Sequence, residues 1–398
     1  MDKDRVYGFF DLAAKFGIAG VLFFIPISHA FIDSFAGLAL LGFIGKNIVK
    51  PEFRWLKTRP NLYLAVFFFF MALSLVNSGQ YIAKSLVALF FKWGKYGALF
   101  LVIQDSIKKR KDLVTFVCIF LFSAGLVAVS GITQLFWGIE FLRGRDISIM
   151  KGGIKAITSS FNHCNGLGAY LIIPISLCVA FLKAPRRLTL RSYYLVLSLV
   201  AILAFCIFYT YSRGAWIGVL TALITMVFIS RKPAIVYSIA LIIGILLFIP
   251  IFRQVLFSVF QSGGDSDRFK YWQAAITMFK ENPVLGKGLG TFMAHFSVYL
   301  PGKFISYAHN CFLQILAESG VFSLIAFLGF IYSVLRAGIK KFVLTRDPVL
   351  LGGICGIIGF LAHSFFEVSL YSLPLAVVFW LWVGVIAKLG SWKELEKI

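Results

Sequence analysis

Twelve apolar stretches, each bounded by charged or turn residues, recur along this 398-residue chain. They cover residues 12–26, 29–45, 61–77, 82–103, 113–137, 165–182, 193–211, 215–230, 234–252, 310–332, 349–366 and 373–389. A run of about 17–25 apolar residues crosses a bilayer as a helix, because a helix pairs its own backbone N–H and C=O groups where no water can. Twelve repeats of that unit predict an all-α, polytopic integral membrane protein with about 12 transmembrane helices. The whole chain, 1–398, reads as one integral-membrane domain. Composition agrees: 60% of residues are hydrophobic and 14% charged, against about 25% charged in soluble domains. A soluble enzyme, a disordered protein and a disulfide scaffold are excluded. Only a short turn at 26–29 separates the first two stretches, so they read as a hairpin. Asp2 and Asp4 beside Lys3 and Arg5, with no small-residue cleavage site, make the first stretch a retained span rather than a leader.

The formal net charge is +22. Counted over alternate loops, 24 of the 39 basic residues fall on one side and 11 on the other, with Lys15, Lys84, Lys92 and Lys95 inside spans. The richer side is cytoplasmic by the positive-inside rule, and both termini are expected there. The other side carries two long segments, 138–160 and 252–309. The second is a loop between spans 9 and 10. Within it, 267–281 predicts an amphipathic helix at the membrane surface, with Phe269, Trp272, Ile276 and Phe279 on one face. Asp265 or Ser266 is expected to cap it, and Asn282-Pro283 to end it. Gly286-Lys287-Gly288-Leu289-Gly290 lacks the spacing of a phosphate loop and reads as a tight, flexible turn.

Polar residues at the ends of spans carry the chemistry. Arg213 joins two spans with almost no loop, against the charge trend, and Gly214 and Ala215 leave room beside it. The plain alternative is an arginine snorkelling to the interface. Arg268 and Lys270 sit in the first turn of the loop helix, where backbone N–H groups favour a phosphate. His309-Asn310 opens the tenth span, and a neutral imidazole suits proton transfer. Glu318 lies nine residues further down that span. No zinc spacing or H-x-x-x-H occurs, so no catalytic metal and no cofactor are expected. Cys164 and Cys311 lie near the same face; two unpaired thiols are expected, with a disulfide between them as the alternative.

Four segments together resemble the O-antigen ligase and polymerase superfamily. They are Ser160-Phe161-Asn162-His163-Cys164-Asn165-Gly166, Tyr211-Ser212-Arg213-Gly214-Ala215-Trp216, Asp267-Arg268-Phe269-Lys270-Tyr271-Trp272 leading to Asn282-Pro283…Gly290, and Ala308-His309-Asn310 running to Glu318-Ser319-Gly320. His309, Asn310 and Gly320 fit the spacing of the ligase motif, from which Ser323 departs. The likeness is carried by residues 158–330. It implies a glycosyltransferase of the membrane glycosyltransferase C type in a bacterial inner (cytoplasmic) membrane, with a periplasmic active site. Its donor would be an undecaprenyl-pyrophosphate-linked glycan and its acceptor a sugar hydroxyl of lipid A core. Transfer would be inverting and metal-independent, and membrane lipid is the other partner. No nucleic acid is expected.

On that reading Arg213 and Arg268 clamp the pyrophosphate, Lys270 and Asn310 help to bind substrate, and His309 activates or orients the acceptor hydroxyl. Asn310 is expected to fix the imidazole, Asn165 to support the site and Glu318 to support the helix beneath it. A polymerase joining lipid-linked repeat units shares donor and fold, and transfer to a protein hydroxyl is a third variant. Lys84, Lys92 and Lys95 in one span admit a different class, a transporter or channel for anions.

Overall fold

The structure is a computed structural model, and it describes residues 2–52, 57–150, 153–231, 250, 253, 264–300 and 307–392. The chain runs through α1 (Lys3–Phe24), α2 (His29–Val49) and α3 (Arg59–Leu73), then a 3₁₀ segment (Ser74–Tyr81). A broken helix follows: α4 (Ile82–Val87), a π-helical turn (Ala88–Gly94) and α5 (Lys95–Ser106). After α6 (Arg110–Trp137) a small hairpin pairs β1 (Ser148–Ile149) with β2 (Lys155–Ala156). Next come α7 (Cys164–Leu182), α8 (Leu190–Tyr209) and α9 (Arg213–Ser230). Two further helices, α10 (Gly264–Glu281) and α11 (Phe292–Tyr299), precede α12 (Cys311–Thr345), α13 (Pro348–His363) and α14 (Leu373–Ser391).

Among the described residues nine helices are long and apolar enough to cross a membrane, one of them the 48-residue run Arg59–Ser106, and Pro348–His363 is a shorter apolar helix. That run holds two of the expected spans, so eleven of the twelve stretches are helical. The ninth, 234–252, lies outside the described residues except for residue 250. The protein is an all-α polytopic membrane protein.

Large apolar side chains such as Phe9, Phe91, Leu195 and Phe228 point outward on the spans, as they do where lipid is the solvent. The centre is filled by α7, α13 and α14. Trp380 of α14 is fully buried and stacks on Phe330 of α12 at 5.4 Å between ring centroids. Glycine lets these helices touch. A Cβ on Gly359 of α13 would lie 2.4 Å from the Gly218 carbonyl of α9, and one on Gly218 would lie 2.8 Å from the Gly359 carbonyl. Dispersion across so short an approach replaces the hydrophobic drive that lipid removes.

Polar groups tie the two ends of the bundle. At one end Lys46, only 1% exposed, bonds Asp11 at 2.8 Å and pairs with Asp105, while Lys108 meets Asp11 at 2.9 Å. Lys15 reaches both Asp11 and Asp112 at 3.2 Å. These lysines are held in a network of opposite charges, without which burial would be costly. At the other end side chains and backbone join loops far apart in sequence. Ser160 donates to the Pro26 carbonyl, Ile157 N–H to Tyr209 at 3.0 Å, Asn77 to Gly286 at 2.8 Å and Cys311 N–H to Ser364 at 2.9 Å.

Two expectations are corrected. The third span stops at Leu73, because Ser74, Asn77 and Ser78 turn the chain to hold the 286–290 loop. The 286–290 turn is clasped rather than flexible. Lys287 and Gly288 donate their N–H groups to the carbonyls of Ala317 and Glu318 at 2.9 and 3.0 Å, and Ser85 donates to Leu289 at 2.7 Å. Those carbonyls are open because α12 breaks at Gly320, whose φ of 77° and ψ of 179° no side chain-bearing residue adopts readily.

Candidate active site

The clasped end of the bundle also gathers the polar residues singled out from sequence. His309 ends the loop that precedes α12 and has a φ of 51°. This left-handed conformation is sparsely populated for a residue with a Cβ. Asn310 then caps α12, its Oδ1 accepting from Phe312 and Leu313 N–H at 3.0 Å each. Tyr211, Ser212 and Arg213 repeat the arrangement: Tyr211 has a φ of 50°, Ser212 caps α9 and Arg213 is its first residue. In both motifs a left-handed residue aims the chain, and a polar cap starts the helix.

Arg268 and His309 meet on a carboxylate that sequence reasoning missed. Glu367, between α13 and α14, accepts from His309 Nδ1 at 3.1 Å on Oε2. Its Oε1 accepts from Arg268 Nη2 at 3.2 Å and from Asn165 Nδ2 at 2.7 Å. Cys311 Sγ donates to the Glu367 carbonyl at 3.3 Å. Three segments thus converge on one residue. A signal did exist, since Glu367 is the sole acid between Asp347 and Glu394.

The carboxylate is partly exposed, at 18%. Burial pushes it upward, but the His309 hydrogen bond and the charges of His309, Arg268 and His363 outweigh that and hold it below the usual value of 4.5. A group depressed in the folded state contributes stability above its unfolded value and loses it as pH falls through the folded one. The stability that the Glu367 charge gives over Glu367→Gln should therefore fall away as pH drops below about 4.5 and vanish in stronger acid. Thermal unfolding in detergent across that range checks it.

The other residues fall around this hub. Arg213 is partly buried, and its neighbour Gly214 faces the end of α13: a Cβ there would lie 3.2 Å from His363. Lys270 is exposed on α10. Asn310 does not fix the imidazole; its oxygen is taken by the helix cap, and Glu367 holds the ring instead. Glu318 is 2% exposed and fixes the clasp, accepting from Gln314 at 2.9 Å, Phe292 N–H at 3.2 Å and Tyr371 OH at 3.2 Å. Lys92, in the π-helical turn, sets its ammonium 5.0 Å from the Tyr371 ring and 5.7 Å from that of Tyr307. Lys84 is exposed and Lys95 is paired, so the three lysines of this span do not share one path.

The loop helix docks by a face beside the one its pattern picks out, with Trp272 and Phe279 half-buried between them. Tyr271, Ala274, Ala275 and Met278 are buried, while Phe269 is 64% and Ile276 39% exposed. The small alanines allow close packing against α12, which leaves the bulkier apolar face outward. That face holds Phe269 against Trp272, rings 5.5 Å apart. The helix ends at Glu281, before Asn282-Pro283 as expected, but it is already formed at Gly264, so Asp265 and Ser266 lie within it rather than at its cap, and Arg268 and Lys270 lie beyond its first turn. Cys164 and Cys311 are both free thiols.

An arginine, an imidazole and a carboxylate at one mouth of a membrane bundle can bind an oxyanion and move a proton beside it. No curated protein matches this chain. Residues 197–328, which carry Arg213, Arg268, His309 and Glu318, match the family model described as O-antigen ligase, which supports the resemblance to the O-antigen ligase and polymerase superfamily.

Proposed function

We propose that the protein is an O-antigen ligase that moves a glycan from undecaprenyl pyrophosphate to a sugar hydroxyl of lipid A core at the periplasmic face. The observation that carries this reading is the meeting of Arg268 and His309 on Glu367, from motifs about forty residues apart within the matched segment. Arg268, with Arg213, binds the pyrophosphate oxygens. Guanidinium forks suit phosphate oxygens and develop no need for a metal. The acceptor oxygen attacks the anomeric carbon from the opposite side, and the bond to pyrophosphate breaks with inversion. The proton passes to His309, and undecaprenyl pyrophosphate leaves. Lys270 and Asn310 are assigned to the substrate-binding surface, and Asn165 and Glu318 to its support. The membrane glycosyltransferase C architecture, cytoplasmic termini and inner-membrane location belong to the same proposal.

Purified protein in detergent, given lipid-linked glycan and a core acceptor, should form core-linked glycan with or without EDTA. Loss of transfer with EDTA refutes the metal-free mechanism. Chain growth from lipid-linked repeat units alone, without core, identifies a polymerase instead.

A further inference from the structure

The hub residue Glu367 lies outside the segment that the family model matches, and the reaction as proposed gives it no part. Its two oxygens are divided. Oε2 faces the acceptor side through His309 at 3.1 Å, and Oε1 faces the donor side through Arg268 at 3.2 Å. We infer that Glu367 is a positioning residue that couples the two half-sites: it orients His309 for the acceptor hydroxyl and holds Arg268 until the donor pyrophosphate takes it.

The first half follows from proton bookkeeping on the ring. An ionised carboxylate only accepts, so Nδ1 carries the hydrogen in this contact. In the neutral ring that leaves the lone pair on Nε2, the atom free to take the acceptor's proton. When the imidazolium forms, Glu367 faces its positive charge directly. The left-handed backbone at His309 fixes where the ring starts, and the carboxylate fixes which way it turns.

The second half follows from competition. A pyrophosphate carries more charge than one carboxylate and offers paired oxygens to the same guanidinium. Donor binding therefore draws Arg268 away from Oε1. Glu367 keeps its place, because Asn165 still donates to Oε1 at 2.7 Å and the Glu367 backbone still accepts from Cys311. With Arg268 gone, the carboxylate's charge acts on His309 alone. The groups facing Glu367 from each neighbouring element are Asn165 of α7, Arg268 of α10, His309 and Cys311 at the head of α12, and His363 of α13.

The inference rests on the ligase reading for its substrates, but its test separates the two. Glu367→Gln keeps the size and removes the charge. At saturating donor its kcat should fall ~10–100-fold, the range for residues that orient another catalytic group. Donor KM should stay level or drop, because Arg268 has lost its competitor. In Arg268→Ala donor KM should rise. Farnesyl pyrophosphate, used as a soluble probe, should bind Glu367→Gln several-fold more tightly than wild type and Arg268→Ala more weakly. Glu367→Asp restores the charge at shorter reach and should recover part of kcat, which a purely structural role does not predict. Thermal unfolding of each variant shows whether the folded protein was measured, and Glu367→Asp serves if the glutamine variant does not fold. Normal kcat in Glu367→Gln overturns the orienting role. Weaker farnesyl pyrophosphate binding in that variant overturns the competition. If the wild type transfers no glycan, it is the proposed reaction that fails, while the binding comparison still stands or falls by itself.

Discussion

Replacing Gly320 with alanine should cost the protein its fold. The backbone there has a φ of 77° and a ψ of 179°, a region reserved almost entirely for glycine. A Cβ would lie 2.1 Å from the Val284 carbonyl oxygen and 2.4 Å from its carbon. Neither partner can yield. Val321 N–H donates to Pro283 at 2.9 Å on one side, and Ala317 and Glu318 accept from Lys287 and Gly288 on the other. Strain and clash together should cost on the order of 4 kcal/mol or more, among the largest single-residue effects. The expected result is little monodisperse protein in detergent, and a sharply lower unfolding temperature for what remains. Ser319→Ala next door is the control. Its hydroxyl is buried without a hydrogen bond among the described residues, so its removal should be close to neutral.

The largest catalytic effects are expected at Arg213, Arg268 and His309. On the proposed reaction, alanine at either arginine removes a donor aimed at charge that grows on the departing pyrophosphate, and should lower transfer ~10²–10³-fold. His309→Ala removes the proposed base and should lower kcat ~10²–10⁴-fold. Arg268 and His309 share Glu367, so the double variant should fall well short of the product of the single losses. Initial rates of glycan transfer, corrected for folded protein, measure all three. Near-normal rates in all three variants would remove the proposed site.

The spans were legible because lipid imposes one rule on every residue that crosses it, and apolar length alone satisfies that rule. The breaks within them were less so. Nothing local marks Gly320 as a kink; its shape is set by Pro283–Gly288 packing against it from more than thirty residues away. The docking face of α10 was not legible for a related reason. Phe269, Trp272, Ile276 and Phe279 have the stronger apolar pattern, but in a membrane protein the bulkiest face can belong outside, while alanines mark close contact. At the candidate site, Arg213, Arg268 and His309 announced themselves as polar groups at span ends. Glu367 did not, because a single acid in a short connection forms no motif and gains its meaning only from Asn165, Arg268 and His309 arriving around it.

The caps described at α9 and α12 have an electrical side. Asn165 lies in the first turn of α7, Arg213 opens α9, and Asn310 heads α12. Three helices therefore begin at the same mouth, and each presents the positive end of its peptide dipoles there, worth about half an elementary charge apiece. Part of the field that would greet an anion is thus built into the peptide bonds. It cannot be mutated away, does not titrate, and remains when every arginine at the mouth has been replaced.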